Sequence, residues 1–591
     1  MIFINISRTK LTGKQLTSFL KMTEHLVVST ENGKIKGKVG KDYHGGKFYS
    51  FSGIPYAKAP VGELRFKAPE PADPWEGVRD GTKEGPECPQ MFLRPKFYVG
   101  KQDNCLNLNV YTKELPKTDD TKKKPVMVFI HGGGFIFGSN KKNFFGPQYL
   151  LTEDIVLVIP NYRLGVLGFL SLEDTSLNVP GNAGLKDQVM ALKWVQKNIH
   201  HFGGDVNNVT IFGQSAGSAS VHYLTLSKLT KGLFHKAIMQ SGSAFNPWAR
   251  GKRNAADIAK VMGYQPNIDE KTILQKLRQA STKSIVKAQN KVVDNTFTSV
   301  VRPFGPVIEY KHDEAFLDED PVEIIKAGKN QQIPVIIGYT SLEGLLYEVI
   351  RKVRSDAKLP GSLEVDIPYE LNISEKSETA KKIAEEMKQF YYNDKDLSKK
   401  NINIRFMLSS DILFLHGIQR TINLLKKYST TPVYAYKMTV SSPLNFLTMC
   451  CQSNYFLTVG MYNLFIRWSG QSSLKHLFQN LRKKLLVKHL DGVAHGDDLF
   501  YLMSTSLSPK VAIGSEEDIY IQRFVKLWTN FAKHGDPTPE ALEVLNSTKW
   551  SPVVDEPISS ILEIGNTIKM TEYTENERLK FWDKLYEDYA S

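Results

Sequence analysis

The stretch Val209-Thr-Ile-Phe-Gly-Gln-Ser-Ala-Gly-Ser-Ala-Ser220 constrains the fold of this chain more than any other. Its first residues suit a buried strand and the run after Ser215, Ala216-Gly-Ser-Ala-Ser-Val-His-Tyr-Leu224, suits a helix, so a single serine stands at the bend between them. A Gly-x-Ser-x-Gly turn holds its serine in strained backbone, and Gly213 and Gly217 are required because the neighbouring chain leaves no room for a side chain. The first N–H groups of the following helix point at whatever the serine attacks, which favours a developing negative charge. The five-residue pattern also arises in ordinary glycine-rich loops, so its surroundings decide what it means.

Those surroundings alternate strand with helix. Val126-Met-Val-Phe-Ile130 is an apolar run suited to a strand covered on both faces, and His131-Gly-Gly-Gly-Phe-Ile-Phe-Gly138 follows at once. A dinucleotide fingerprint would need a glycine where Phe137 stands, so that reading fails on spacing. Three glycines after a strand do allow backbone N–H donors to approach a reacting carbonyl, which makes Gly133 and Gly134 candidate oxyanion donors. Ile155–Ile159, Lys236–Gln240, Pro334–Gly338 and Val433–Met438 read as further strands. Leu185, Val189, Leu192, Val195 and Ile199 recur at helical spacing, and Ala380–Tyr391 and Ile404–Leu425 also read as helices. The alternation predicts an α/β fold: a large, mostly parallel central sheet flanked by helices.

With 591 residues, 41% of them hydrophobic, and no long Pro-, Gly- or Ser-rich linker, the chain suits a single large domain over residues 26–591 behind an N-terminal extension, 1–25. A net charge of +14 with no basic stretch interleaved with aromatics argues against a nucleic-acid partner, and the densest basic piece, Lys475–Lys488, reads as an exposed amphipathic helix. Cys88 and Cys105 bracket a short loop that an oxidising compartment would allow a disulfide to close, and none of the four cysteines has the spacing of a metal site. The first 22 residues are basic, with apolar runs too short for a secretory signal, and the C-terminus is not an ER-retention signal; the expectation is a cytoplasmic protein, with a transit peptide as the alternative. Thr439–Ile466 contains no charged residue, yet Asn445, Gln452, Ser453, Asn454 and Asn463 argue against a stable membrane span, leaving an unusual uncharged insertion near 439–470.

Gly213-Gln-Ser-Ala-Gly217, His131-Gly-Gly-Gly-Phe135, Asn104-Cys-Leu-Asn-Leu-Asn-Val-Tyr111, Phe51-Ser-Gly-Ile-Pro-Tyr-Ala57, Pro180-Gly-Asn-Ala-Gly-Leu-Lys-Asp187 and Asn161-Tyr-Arg163 together resemble the type-B carboxylesterases of the α/β-hydrolase fold, most of all insect intracellular α-esterases. That resemblance implies Ser215 as nucleophile, His495 in Gly492-Val-Ala-His-Gly-Asp-Asp-Leu499 as base and Glu343 in Tyr339-Thr-Ser-Leu-Glu-Gly344 as the orienting acid, in the chain order of this fold. It also implies Ala216 as a third oxyanion donor, Ser241 as a support for Glu343 and Trp248 as an acyl-pocket residue, although a lone tryptophan is otherwise core. Arg163 reads as a structural anchor, and His222 as a packed polar residue rather than a second base.

Gln214, where the family often has glutamate, and Asn104, where it often has aspartate, are departures expected to leave the triad untouched; Gln214 also occurs in juvenile-hormone-esterase-like members. The loop from Cys88 to Cys105 lacks the tryptophan with which cholinesterases hold a cationic substrate. The implied activity is hydrolysis of uncharged, largely apolar small-molecule esters through an acyl-enzyme, needing neither metal nor cofactor. Its alternatives are a juvenile-hormone-esterase-like hydrolase and a slow-turnover, ester-sequestering protein.

Overall fold

A computed structural model of the chain describes residues 26–589 apart from 92–97, 101–102, 118–121, 266, 293–302, 347, 349–360, 369–370, 375, 394, 453–491 and 556. Among these residues, the strands of the central sheet are, in chain order, β1 (Lys38–Lys41), β2 (Lys47–Pro55), β3 (Asn107–Thr112), β4 (Lys124–Ile130), β5 (Val156–Pro160), β6 (Gly204–Gln214), β7 (Lys236–Gln240), β8 (Val335–Thr340), β9 (Val433–Met438), β10 (Ser560–Ile564) and β11 (Ile568–Glu572). Across the sheet they lie in the order β11-β10-β9-β8-β7-β6-β4-β5-β3-β2-β1. Every pair from β10 to β5 is parallel. Antiparallel pairing is confined to the two margins. The chain therefore has the mostly parallel sheet that its strand and helix alternation predicts.

The helices that bear on the site are α1 (Ala183–Asn198), α2 (Ala216–Leu226), α3 (Ile402–Ser410), α4 (His416–Tyr428), α5 (Phe446–Gln452) and α6 (Glu516–His534). The pleat of β4 shows why its sequence is apolar from Val126 to Ile130. Val126, Val128 and Ile130 join one core layer with Leu185, Val189, Leu192 and Val195 of α1, whereas Met127 and Phe129 join the other with Phe524, Trp528 and Phe531 of α6. A strand covered by helices on both faces has no solvent side to make polar. Each fully buried aromatic or branched side chain contributes roughly 1.5–3 kcal/mol over leaving it exposed. The α6 helix that carries Trp528 is capped at both ends: the Ser515 side chain accepts from Asp518 N, and Gly535 closes it in left-handed backbone at φ 75°.

Three long-range ties hold the loops in place. Arg163 is the anchor its sequence suggests, gripping Asp187 of α1 through Nε–H to Oδ2 at 2.8 Å and Nη2–H to Oδ1 at 2.6 Å, with both residues buried. Removing one partner from such a pair leaves a buried charge uncompensated, at about 3–5 kcal/mol. Cys88 and Cys105 are joined as a disulfide. Within the loop that it closes, Gln90 donates to Gly138 O at 2.8 Å and accepts from Gly138 N at 2.7 Å, tying that loop to the glycine-rich segment after β4.

Ile404–Leu425, which reads as one helix, is instead a helical run in which a π turn, Asp411–Leu415, separates α3 from α4. The extra residue shifts the phase of the side chains around it. Asp411 there accepts from Tyr391 Oη at 2.8 Å and Arg578 Nε at 2.9 Å.

The uncharged stretch after Thr439 begins inside the fold. Asn445 accepts from Ser442 N at 3.0 Å and donates to Val440 O at 3.0 Å, and Ser442 Oγ meets the Tyr501 hydroxyl at 2.7 Å. The rest of the stretch beyond Gln452, the extension 1–25 and Lys475–Lys488 lie outside the described residues. Among the described residues no helix is long and apolar enough to cross a membrane.

Candidate active site

β5 lies on one side of β4 and β6 on the other, so the winding of the sheet reverses between β4 and β6. Parallel sheets open a crevice at the carboxyl ends of their strands at such a point. The glycine-rich segment leaves β4 there and Ser215 leaves β6 beside it. Ser241 follows β7 and Glu343 follows β8, so four consecutive strands of the sheet deliver candidate residues to one end.

Ser215 sits at φ 60°, ψ −125°, a region that L-residues avoid, with its N–H bonded to Gln240 O of β7 at 2.8 Å. The glycines around it are a steric requirement. A Cβ on Gly217 would stand 2.0 Å from Ile130 O, and one on Gly213 would stand 2.5 Å from the backbone of Gly217. Helix α2 begins at Ala216, directly behind the serine. Gly133 O accepts from the N–H groups of Ile136 and Phe137, both at 3.1 Å, which folds the glycine segment back on itself. The N–H groups of Gly133, Gly134 and Ala216 have no backbone acceptor among the described residues. Unpaired donors next to a strained serine are what an oxyanion site needs.

Glu343 is fully buried and its carboxylate is satisfied by three donors. Oε1 accepts from Ser241 Oγ at 2.5 Å and Thr340 N at 2.7 Å, and Oε2 accepts from His495 Nδ1 at 2.5 Å. Ser241 therefore meets Glu343 as the resemblance implies. In the neutral ring, donation of Nδ1–H to Glu343 leaves the lone pair at Nε2. Phe414, delivered by the π turn, packs its ring 4.3 Å from the His495 ring and 5.8 Å from that of Trp248. Trp248 is buried, donates from Nε1 to Leu413 O at 2.6 Å, and would lie 3.0 Å from a Cβ on Gly242, which would itself stand 2.6 Å from Ser215 O. It is buried core beside the Ser215 turn.

Gln214 does touch the triad. Its Nε2 lies 3.1 Å from His495 Nε2, contrary to the expectation that the glutamate-to-glutamine departure leaves the triad alone. The sharp turn at Ser215 redirects the chain, so the side chain of the preceding residue reaches the imidazole. The two aspartates after His495 also form part of the construction. Asp497 accepts from Leu447 N at 2.7 Å, Thr448 N at 3.0 Å and Thr448 Oγ1 at 2.5 Å, and Thr448 Oγ1 in turn accepts from Ala494 N at 2.8 Å. Burial pushes the Asp497 carboxyl up to about 7. Asp498 Oδ2 accepts from Gln240 Nε2 at 2.9 Å and Tyr436 Oη at 2.8 Å, and burial raises this carboxyl as well.

The sequence offered one cue to these aspartates, two acidic residues set among apolar ones right after the histidine, and no cue to Phe414, which depends on the π turn. His222 is a packed polar residue: its Nδ1 accepts from Ala244 N at 3.1 Å, and burial pulls its pKa down to about 3. His131 is likewise held neutral by burial, at about 4, and stacks 4.4 Å from Tyr162.

A family model described as the carboxylesterase family matches residues 24–582. Esterase B1 of Culex pipiens is 33% identical over 95% of this chain and 98% of its own length. The juvenile hormone esterase of Tribolium castaneum is 36% identical over 95% of this chain and 94% of its own. Among solved structures, juvenile hormone esterase from Manduca sexta with OTFP covalently attached superposes at a TM-score of 0.76 with 28% identity, covering 95% of this chain and 99% of that one.

Proposed function

Since the chain belongs to the carboxylesterase family and is a carboxylic ester hydrolase of the α/β-hydrolase fold, we propose that it cleaves uncharged, largely apolar esters through an acyl-enzyme on Ser215. The observation that carries this reading is the carboxylate–imidazole bond from Glu343 to His495 at 2.5 Å, placed at the strand ends where Ser215 turns out of β6. Ser215 Oγ attacks the ester carbonyl carbon while His495 Nε2 takes its proton, and Glu343 holds the ring in the tautomer that leaves Nε2 bare. The negative oxygen of the tetrahedral intermediate is received by the N–H groups of Gly133, Gly134 and Ala216, the electrostatic effect that usually contributes most to such reactions. Collapse expels the alcohol with the proton from His495. Water, deprotonated by the same imidazole, then releases the acid and restores the serine. Trp248, with Phe414 beside it, offers the acyl group an apolar surface that favours hydrocarbon over charge.

A juvenile-hormone-type ester is the second reading, favoured by the likeness to the juvenile hormone esterases of Tribolium castaneum and Manduca sexta and by Gln214. The test is a panel of p-nitrophenyl esters of rising acyl length, set beside a methyl ester of a long branched acid, on wild type and Ser215→Ala. Steady turnover of the apolar esters that vanishes in Ser215→Ala supports hydrolysis at this site. A burst of product equal to the enzyme with no steady state would instead make the protein a sequestering esterase, and undiminished turnover by Ser215→Ala would refute the assignment of the nucleophile.

A further inference from the structure

The contact between Gln214 and His495 has a direction. In the neutral ring that donates Nδ1–H to Glu343 Oε2, Nε2 holds only a lone pair, and the Gln214 group 3.1 Å away serves it as an N–H donor. The opposite amide orientation would set a carbonyl oxygen against that lone pair. An imidazole nitrogen in this state accepts one strong hydrogen bond, in the plane of the ring. The hydroxyl of Ser215 needs the same lone pair to lose its proton, yet Ser215 Oγ makes no side-chain hydrogen bond among the described residues. The two donors are mutually exclusive.

We propose that Gln214 is a positioning residue that parks the base: in the resting protein its amide holds His495 Nε2, and acylation starts only when this side chain withdraws and Ser215 takes its place. The proposal rests on the assignment of Ser215 and His495 made above. The slot around the amide is shaped for it. A Cβ on Gly496 would stand 3.1 Å from Gln214 Nε2, and one on Gly132 would stand 3.2 Å from Gln214 Oε1. Gly132 directly precedes the candidate oxyanion donors Gly133 and Gly134, so an ester carbonyl seated on them is a neighbour of the parked side chain, which couples substrate arrival to release of the base.

The amide nitrogen donates only to the neutral ring. A glutamate here could only accept, and would favour the protonated ring. The ionisable groups around His495 are Glu343 at Nδ1, Asp498, which acts on it through space, and Asp497 on the same loop. Gln214→Glu adds a fourth.

The test is pre-steady-state acylation by p-nitrophenyl acetate, followed across the acid limb of the pH profile, in wild type, Gln214→Met, Gln214→Glu and Ser215→Ala. Gln214→Met keeps the length of the side chain and loses the donor, so its acylation at neutral pH is expected to be about fivefold faster, the equivalent of one net hydrogen bond of about 1 kcal/mol. Gln214→Glu is expected to move the acid limb up by about one pH unit. Unchanged or slower acylation in Gln214→Met overturns the proposal. Should that variant lose its cooperative melting transition, Gln214→Glu decides alone, and a wild-type acid limb overturns the proposal. Acylation that persists in Ser215→Ala strikes down the underlying assignment instead.

Discussion

Around Ser215 the fixing contacts are made by backbone: a strained turn, the Ser215 N–H on the end of β7, and glycines pressed against Ile130 O and against each other. Around His495 they are made by side chains: Glu343 on the ring, Asp497 on α5, and Asp498 on Gln240 and Tyr436. The nucleophile half is therefore nearly a local property of the strand and its turn. The base half is assembled from segments far apart in the chain, around buried carboxylates.

The largest effect expected is on the contact that joins the two halves to the chemistry. Glu343→Gln keeps an acceptor for Ser241 and Thr340 but offers His495 an N–H, which favours the wrong tautomer; kcat should fall about 10⁴-fold with the melting temperature little changed. A loss below about tenfold would show that the carboxylate does not orient the base. Next, a backbone-built half should tolerate no added side chain. Gly217→Ala places a Cβ 2.0 Å from Ile130 O, and urea unfolding should show a loss of about 3 kcal/mol or more together with activity. Native stability in that variant would mean that the turn is looser than its geometry indicates.

The smallest effects set the halves apart by pH. Burial holds His222, on the nucleophile helix, down at about 3. The unfolded chain binds a proton at such a histidine below about pH 6.5 while the folded protein does not, so this contribution to stability is lost as pH falls from about 6.5 towards 3. Asp497 acts in the opposite sense. Its carboxyl is pushed up to about 7, so the folded protein keeps a proton that the unfolded chain gives up near pH 4, and its contribution declines as pH rises from about 4 to 7 and is flat above. Unfolding free energies measured over this range should show a shallower acid-side loss in His222→Gln and a shallower loss towards neutrality in Asp497→Asn, each by at most about 1.4 kcal/mol per pH unit. Parallel curves for wild type and both variants would remove the distinction.

The same contrast explains what could be read before any coordinates. Strands such as Lys236–Gln240 and Val433–Met438 have the bounds that their apolar runs predict, because a parallel sheet covered on both faces writes itself as short continuous hydrophobic segments. The glycines beside Ser215 were equally legible, being local steric needs. The proximity of Glu343 and His495 was available only through resemblance, since no periodicity relates residues 152 positions apart.

The π turn at Asp411–Leu415 was not legible at all. It is tied to Tyr391 and Arg578 through Asp411, contacts that a helical pattern over Ile404–Leu425 cannot express, and it is what brings Phe414 to the imidazole. Gln214 was visible as a departure, but its reach to His495 depends on the direction in which the Ser215 turn sends the chain.

The measurement that bears most directly on the site is organophosphate labelling followed by peptide mapping, on wild type and Ser215→Ala. One phosphoryl adduct on the peptide containing Gly213-Gln-Ser-Ala-Gly217, absent from Ser215→Ala, is the expected result. An adduct on any other residue, or labelling that survives in Ser215→Ala, would contradict it.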